Sequence, residues 1–477
     1  TQSTWGMQRF SVSGASRSLQ IKSGVEGLIL RLASERNATS LFIIKQIHAL
    51  LIAGGTLIRS LPLLNSLLRC YSRSDSPLFS LLLYKQALKY SSPFNSFTYS
   101  FLINSSANST EPIPTGTQLH GVTVKVGFGA HVYVQTALVN LYCAAGSADR
   151  AQYVFDDMPE RNTVTWNAIV TGFARMGCMN RALTLFDQMP DKNVVSFTGI
   201  VDGFVRKKRY NDGFNMFLRM SSCEDIKPND ISLLAILPAV SSAGDSAQCE
   251  SLHCHAEKNG FLLLSTAVCI AMIDTYSKCG NMKSALMVFD EMPVGKINIA
   301  SLTSAISCLA MHGKGKEAIA MFHNMEQMGF KPNGVTFLSL LNACSHGGMV
   351  SEGLMFYQKM REEYKIECSI KHYGSVVDML GRVGRLSEAE RIALEIPEET
   401  INDVVWRTLL AACSIYGNEE IGERATRKIM EIERKHGGDY ALMYNILSAN
   451  LKFEKAEEIR TLMNRRRAHK LCGKSGV

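Results

Sequence analysis

The triplet His255-Ala-Glu257 is the arrangement in this sequence that comes nearest to catalytic chemistry. In zinc deaminases such a His is a metal ligand, such a Glu is the general acid and base, and two thiolates of a Cys-x-x-Cys pair complete the site. The chain has 13 cysteines, but no two of them are separated by two residues. We therefore predict a structural role for His255, no metal or other cofactor, and no enzymatic activity.

Charge and hydropathy narrow the possible partners. The formal net charge of +8 is compatible with a polyanionic partner without demonstrating one, and 46% hydrophobic residues are enough for a buried core. The stretch nearest to a membrane span, residues 260–273, is too short for one and contains Ser265 and Thr266. We expect no membrane partner.

The first 25 residues have a composition of their own. They contain no Asp or Glu, several Ser, and the basic residues Arg9, Arg17 and Lys22. This composition predicts an organellar transit peptide over residues 1–25, and the alternative is a disordered N-terminal tail.

A repeat of 31 to 36 residues organises the chain from there to residue 403. Its recurring positions include Phe155, Phe186 and Phe217, and the dipeptides Met158-Pro159, Met189-Pro190 and Met292-Pro293. Within residues 163–193, one apolar helical face ends at Gly177 and a second ends before Pro190, and both residue types terminate helices. Each repeat is therefore a helical hairpin. Because only stacked neighbours can bury its apolar faces, we predict an all-α solenoid of helix-turn-helix repeats.

The boundaries of these repeats give the domain organisation. Residues 26–403 hold about eleven repeats, and the first of them, 26–60, is degenerate. The others span 61–95, 96–131, 132–162, 163–193, 194–229, 230–265, 266–298, 299–333, 334–369 and 370–403. Residues 404–471 keep the helical rhythm with different residues and form a C-terminal extension, which a tail follows at 472–477.

Several of these segments resemble pentatricopeptide repeats. Thr163-Val-Thr-Trp-Asn is similar to the short variant of that repeat, Phe330-Lys-Pro-Asn333 to the standard variant, and Ser251-Leu-His-Cys-His to the long variant. The segment Val404-Val-Trp-Arg-Thr-Leu-Leu-Ala-Ala-Cys413 resembles the E-type extension that follows such arrays in plants. The tetratricopeptide repeat has a similar period, but its Trp-x-x-Leu-Gly-x-x-Tyr pattern is absent here.

This resemblance implies a right-handed superhelical solenoid that binds single-stranded RNA. The alternation of long, short and standard variants is typical of the plant subclass associated with C-to-U RNA editing in organelles. We expect site recognition for such editing, in the mitochondrion or alternatively the chloroplast. Residues 404–471 are expected to recruit a deaminase-bearing (DYW-type) member of the family and other editing factors, because this sequence lacks that deaminase domain. The alternatives are a splicing or transcript-stabilising factor, and a protein-interaction scaffold.

The resemblance also implies which residues contact RNA. In such repeats the fifth and the last residue flank one base, and the second residue packs against it. The fifth-and-last pairs are Asn65 with Asn95, Thr136 with Asn162, Asn167 with Asn193, Thr198 with Asn229, and Thr303 with Asn333, and the second residues are Val164, Val195 and Val335. The family pattern reads Thr with Asn as adenine, and Asn with Asn as a pyrimidine. An Asn that ends a repeat is equally a good N-cap for the next helix, so both roles stay open.

In some of the remaining repeats the fifth and last residues do not predict a base. For the other repeats, the family's register predicts which nucleotide of the RNA each one contacts. Ile270 offers no hydrogen bond as a fifth residue, and Gly374 with Asp403 gives little readout at the fifth position. In the family the RNA runs 5′ to 3′ along the array, and the last full repeat lies four nucleotides before the edited cytidine. Repeat 61–95 then lies at −13. The resemblance implies a pyrimidine at −13, adenine at −11, a pyrimidine at −10, and adenine at −9 and −6.

Overall fold

The computed structural model describes residues 27, 29, 41–53, 60–74, 76–89, 94–109, 112–397, 403–432 and 436–465. In this part of the chain the regular secondary structure is a succession of short helices, so the predicted all-α fold class is confirmed. The chain divides into two compact units, of which the first ends at Ala239 and the second begins at Val240. The predicted transit peptide, 1–25, and the tail, 472–477, lie outside the described residues.

The first compact unit consists of helical hairpins from α2 onward. Its helices are α1 (Leu41–Ala53), α2 (Leu61–Ser72), α3 (Leu78–Leu88), α4 (Ser96–Ala107), α5 (Pro112–Lys125), α6 (Val132–Ala144), α7 (Ala148–Asp156), α8 (Thr163–Met176), α9 (Met179–Gln188), α10 (Val194–Arg206), α11 (Tyr210–Ser221) and most of α12 (Asp230–Ala243). The first helices of successive hairpins, α2, α4, α6, α8 and α10, pack each on the next. The second helices α3, α5, α7 and α9 each pack against their hairpin partner and the following first helix.

The second compact unit repeats this arrangement. Its helices after α12 are α13 (Ser246–Lys258), α14 (Phe261–Leu264), α15 (Thr266–Lys278), α16 (Met282–Asp290), α17 (Ile299–Met311), α18 (Gly315–Gln327), α19 (Gly334–Gly347), α20 (Val350–Glu362), α21 (Ile370–Arg382), α22 (Leu386–Leu394), α23 (Asp403–Tyr416), α24 (Glu419–Ile432), α25 (Gly437–Ala449) and α26 (Phe453–Arg465). The first helices α15, α17, α19, α21, α23 and α25 again pack each on the next. None of the helices that the structure describes has both the length and the apolar character needed to cross a membrane.

Aromatic pairs explain why Phe recurs with the period of the repeat. Phe155 of α7 meets Trp166 of α8 edge to face, with ring centroids 4.9 Å apart. Phe186 of α9 meets Phe197 of α10 in the same way, also at 4.9 Å. Each pair joins the second helix of one hairpin to the first helix of the next, and edge-to-face contact is the favoured geometry for buried rings. The repeated Phe therefore stabilises the stacking of hairpins.

The turns within the hairpins place one residue in the left-handed region. Gly177 has φ +82°, and glycines occupy the equivalent turn in most hairpins. Lys208 and Leu451 adopt the same conformation with φ +58° and +61°, although a side chain makes it unfavourable. The turn geometry is thus kept even where the sequence lacks glycine.

Cations on the second helices are engaged by carboxylates of the neighbouring second helix. Arg181 of α9 contacts Asp149 of α7 at 2.7 Å, and Lys359 of α20 contacts Glu326 of α18 at 2.6 Å. Arg424 of α24 contacts Glu390 of α22, also at 2.6 Å. The Arg181–Asp149 pair is exposed and adds little stability by itself. In all three pairs the carboxylate neutralises the charge of the cation.

A histidine of one hairpin meets a tyrosine of the next at three places. His48 Nδ1 lies 2.9 Å from the Tyr71 hydroxyl, and His120 Nδ1 lies 2.8 Å from the Tyr142 hydroxyl. His253 and Tyr276 repeat the contact at 2.9 Å. Burial lowers the pKa of both His48 and His120, so these two rings are held in the neutral form in the folded chain.

The lowered pKa of His120 predicts a loss of stability in mild acid. In the unfolded chain the pKa of a His is about 6.5, which is higher than the pKa of His120 in the folded chain. The unfolded chain therefore binds more protons than the folded chain as the pH falls. The free energy of unfolding should therefore keep its highest value above about pH 6.5. It should decrease as the pH falls below that value towards the lower pKa that His120 has in the folded chain. We expect His120→Gln to flatten this decline between about pH 7 and pH 5 in urea unfolding followed by circular dichroism. His346→Gln is the matched control, because that side chain is exposed, and equal slopes in the two variants would contradict the prediction.

Candidate nucleic-acid interface

The Asn residues that end the repeats all cap the following helix. The side-chain Oδ1 of each accepts a hydrogen bond from the backbone N–H three residues later, at 2.9 to 3.1 Å. The residues are Asn95, Asn162, Asn193, Asn229, Asn298 and Asn333. Because a backbone N–H only donates, the capping atom is the amide oxygen and the amide nitrogen points elsewhere.

The amide nitrogens of these six residues remain available. Within the part of the chain that the structure describes, none of the six Nδ2 atoms donates to another residue. All six side chains are at least partly exposed. Capping a helix and presenting hydrogen-bond donors to a ligand are thus compatible, because the two tasks use different atoms of one amide.

Buried hydroxyls at the third position of the next repeat complete the arrangement, and the sequence analysis missed them. They are Thr98, Thr165, Ser196, Ser232, Ser301 and Thr336, and each is 0% exposed. The motif Asn-x-x-Ser/Thr at six repeat boundaries was the signal that could have found them, since it is a capping-box pattern.

These hydroxyls join three of the predicted Thr-and-Asn pairs. Thr198 Oγ1 lies 2.6 Å from Ser232 Oγ, which lies 3.0 Å from Asn229 Oδ1. The same contacts occur in the other two sets. Thr136 Oγ1 lies 2.9 Å from Thr165 Oγ1, which contacts Asn162 Oδ1. Thr303 Oγ1 lies 2.8 Å from Thr336 Oγ1, which contacts Asn333 Oδ1. The fifth and last residues of these repeats are therefore brought together through a residue of the following repeat.

The two Asn-and-Asn pairs differ from each other. Asn65 Nδ2 donates directly to Asn95 Oδ1 at 3.1 Å, and the Thr98 hydroxyl donates to Asn65 Oδ1 at 2.8 Å. In the other pair the Ser196 hydroxyl donates instead to the Asn193 backbone carbonyl at 2.8 Å. Asn167 Oδ1 is then buried without a partner among the described residues, which is costly unless a ligand supplies a donor.

The predicted second-position residues are exposed apolar side chains. Val164, Val195 and Val335 are 64%, 57% and 60% exposed. In other repeats Phe97 and Tyr133 occupy this position, and their rings contact each other with centroids 4.9 Å apart. Exposed apolar groups beside the polar fifth and last residues are suited to packing against the faces of bases.

Asp403 is engaged within its own helix. It forms an ion pair with Arg407 one turn later in α23, and Arg407 Nε also lies 3.0 Å from the buried carboxylate of Asp439. The structure thus engages the carboxylate of Asp403 with an arginine. 

A basic groove lies along the first helices of the first compact unit. Its volume is about 450 Å³, and Arg69, Arg73 and Arg175 line it together with Asn104 and Asn140. Burial and the neighbouring Arg69 lower the pKa of Arg73 below that of an ordinary guanidinium. The groove therefore concentrates positive charge beside amides and the aromatic ring of Phe101.

The surroundings of His255 and of the buried cysteines bear on the metal chemistry considered from the sequence. No three His, Cys, Asp or Glu side chains among them come together as a metal site requires. Glu257 lies 3.8 Å from His253 Nε2, and the His255 ring contacts Phe261. Burial raises the pKa of the Cys143 and Cys344 thiols to about 12, so these buried cysteines are not thiolates at neutral pH.

The fold and these inter-repeat contacts define an α-helical repeat protein. The sequence matches the family model described as PPR repeat over residues 136–163, 164–194, 195–224, 268–296 and 335–364, the PPR repeat family over 297–346, and the E motif over 416–477. It is 48% identical to the mitochondrial pentatricopeptide repeat-containing protein At1g09220 of Arabidopsis thaliana, across 93% of this chain and 91% of that one. The chain belongs to the pentatricopeptide repeat family.

A second relative and a solved structure agree with this placement. The pentatricopeptide repeat-containing protein At5g66520 of Arabidopsis thaliana is 42% identical over 87% of this chain and 66% of its own length. The fold matches the maize pentatricopeptide repeat protein PPR10, solved in complex with an 18-nt psaJ RNA element, with a TM-score of 0.66 at 16% identity. That match covers 96% of this chain and 67% of PPR10, and it confirms the helical-repeat fold.

Proposed function

We propose that this protein binds single-stranded RNA and reads one base per repeat. The observation that carries the proposal is the capping Asn, a partly exposed residue whose amide oxygen accepts from the helix backbone while its amide nitrogen donates to no described residue. Helical repeats that read RNA place two or three side chains at each base. The solved complex of PPR10 with RNA supports the same use of the shared fold.

The outward groups of each repeat match particular bases. In Thr-and-Asn repeats a hydroxyl lies beside amide donors, and adenine presents an amino donor beside a ring acceptor. In repeat 61–95 both amide oxygens accept hydrogen bonds within the protein and Asn65 Nδ2 donates to Asn95, so the Asn95 amide nitrogen is the main group left for RNA, and it is a donor. Cytosine, with two ring-edge acceptors, suits such a set. The valines at second positions would pack between neighbouring bases.

The finer proposal is that the bound RNA contains a cytidine to be converted to uridine. The matched E motif at residues 416–477 supports it, because the resemblance links that extension to organellar editing. A deaminase-bearing partner of the same family would act in trans through residues 404–471. The mitochondrion is the proposed site of action, supported by the name of the relative that is 48% identical, while another relative is named as chloroplastic.

Comparing organellar transcripts of plants with and without this protein tests the editing function. We expect C-to-U conversion to be lost at one or a few cytidines, each preceded by the pattern implied for −13, −11, −10, −9 and −6. Reintroducing the intact chain should restore conversion, and a chain in which α24 to α26 are replaced should not. Unchanged editing with altered splicing or transcript abundance would instead favour the alternative RNA-processing role.

A further inference from the structure

We propose that the buried third-position hydroxyl determines which base the preceding repeat prefers, although it does not touch the base. This inference rests on the proposed RNA-binding function. It concerns Ser232 in the set of Thr198 and Asn229, and Thr336 in the set of Thr303 and Asn333. Both hydroxyls are 0% exposed, so they act as positioning residues through the exposed members of each set.

The direction of the hydrogen bonds follows from counting protons. A hydroxyl has one proton, and a side-chain amide oxygen only accepts. Ser232 must therefore donate to Asn229 Oδ1, at 3.0 Å. In the 2.6 Å contact between Ser232 and Thr198, the Ser232 proton is already used, so Thr198 is the donor. Thr303 donates to Thr336 for the same reason, across 2.8 Å.

This direction fixes what the repeat presents to RNA. Because the Thr198 proton points inward, only lone pairs of its oxygen face outward. Repeat 194–229 thus presents an acceptor at Thr198 and donors at Asn229 Nδ2. Adenine, with an amino donor next to the ring acceptor N1, fits this order. The Asn229 amide nitrogen needs an acceptor, but guanine has the donor N1–H at that position. Guanine is therefore disfavoured.

Repeat 132–162 provides an internal contrast. Thr136 Oγ1 lies 2.9 Å from Thr165 Oγ1, but it also lies 2.7 Å from the Val132 carbonyl. Both acceptors lie within the protein, so the Thr136 proton stays turned inward even when the Thr165 hydroxyl is removed. Among the described residues no second acceptor holds the Thr198 proton. Thr165→Val should therefore change the preference of repeat 132–162 for adenine over guanine less than Ser232→Ala changes that of repeat 194–229.

Binding of matched RNA oligonucleotides by Ser232→Ala and Ser232→Thr tests the inference. The oligonucleotides carry the pattern implied above, with adenine or guanine at −9. We expect Ser232→Ala to reduce the ratio of the guanine Kd to the adenine Kd by about tenfold, because Thr198 is released to turn its proton outward. Ser232→Thr should keep the ratio, since it keeps the hydroxyl.

The ratio of the two Kd values distinguishes a positioning role of Ser232 from a role in the stability of the fold. Helix capping survives in Ser232→Ala through the backbone N–H of residue 232, and circular dichroism will verify the fold. Loss of affinity for both oligonucleotides by the same factor, or an unchanged ratio, would show a structural role only and overturn the inference. Thr198→Val, which removes the acceptor, should lower the ratio independently. Failure of the unmodified chain to bind either RNA would overturn the proposed function itself.

Discussion

Replacement of Asn229 by Asp is expected to move the base preference of repeat 194–229 from adenine to guanine. Asp is as good an N-cap as Asn, so one carboxylate oxygen keeps the 2.9 Å bond from the Ser232 backbone N–H. The other oxygen replaces the outward amide nitrogen and turns a donor into an acceptor. Two acceptors, at Thr198 and at residue 229, then match the N1–H and amino donors of guanine.

The expected change in preference at −9 is about 10- to 100-fold, the value of one well-placed pair of base contacts at 1–3 kcal/mol. Competition binding with oligonucleotides that differ only at −9 measures it. Asn298→Asp is the matched control, because it makes the same capping change beside Ile270, where no fifth-position hydrogen bond exists. If Asn229→Asp holds overall affinity and leaves the preference at −9 unchanged, Asn229 is a helix cap only and the register fails.

Binding is also expected to require a single strand and to weaken steeply with salt. Bases in a duplex cannot reach the exposed valines and amides, so a duplex of the same sequence should bind far more weakly. If Arg69, Arg73 and Arg175 each neutralise one phosphate, affinity should fall about 20-fold between about 50 mM and about 200 mM salt. Fluorescence anisotropy over a salt series measures this slope.

Removing one groove cation should make the slope shallower. We expect Arg175→Ala to lose only about sevenfold in affinity over the same salt range. Arg181→Ala is the matched control, because Arg181 lies on a second helix and is paired with Asp149 at 2.7 Å, and its slope should equal that of the unmodified chain. Equal binding of duplex and single strand, or binding that salt does not affect, would favour a protein-interaction scaffold.

The fold could be predicted from periodicity because each hairpin is a local structure. The spacing of Phe155 and Phe186 indicated the period of the repeat, and Gly177 and Pro190 marked where its two helices end. What the spacing could not give is the pairing of Phe155 with Trp166 across a hairpin boundary. Such pairing depends on how two hairpins pack, and that is decided by shape in three dimensions.

The candidate site was predictable in part for the same reason. The positions of Thr198 and Asn229 follow from counting along a repeat, and Asn as a cap follows from its place before a helix. The role of Ser232 could not be predicted from the repeat pattern, because its contact with Thr198 spans 34 residues and depends on how the helices pack. The sequence likewise gave no sign that Arg407 would bring Asp403 and Asp439 together.

The capping amide also has a consequence for how the specificity of such a chain can change over generations. Codons for Asn and Asp differ by one nucleotide, and both residues cap helices well. If Asn162 and Asn333 read bases as proposed, a single mutation at either codon alters the base preference while the helix keeps its cap. The RNA target could then change with little loss of stability, because the amide oxygen caps the helix and the neighbouring atom of the same side chain contacts the base.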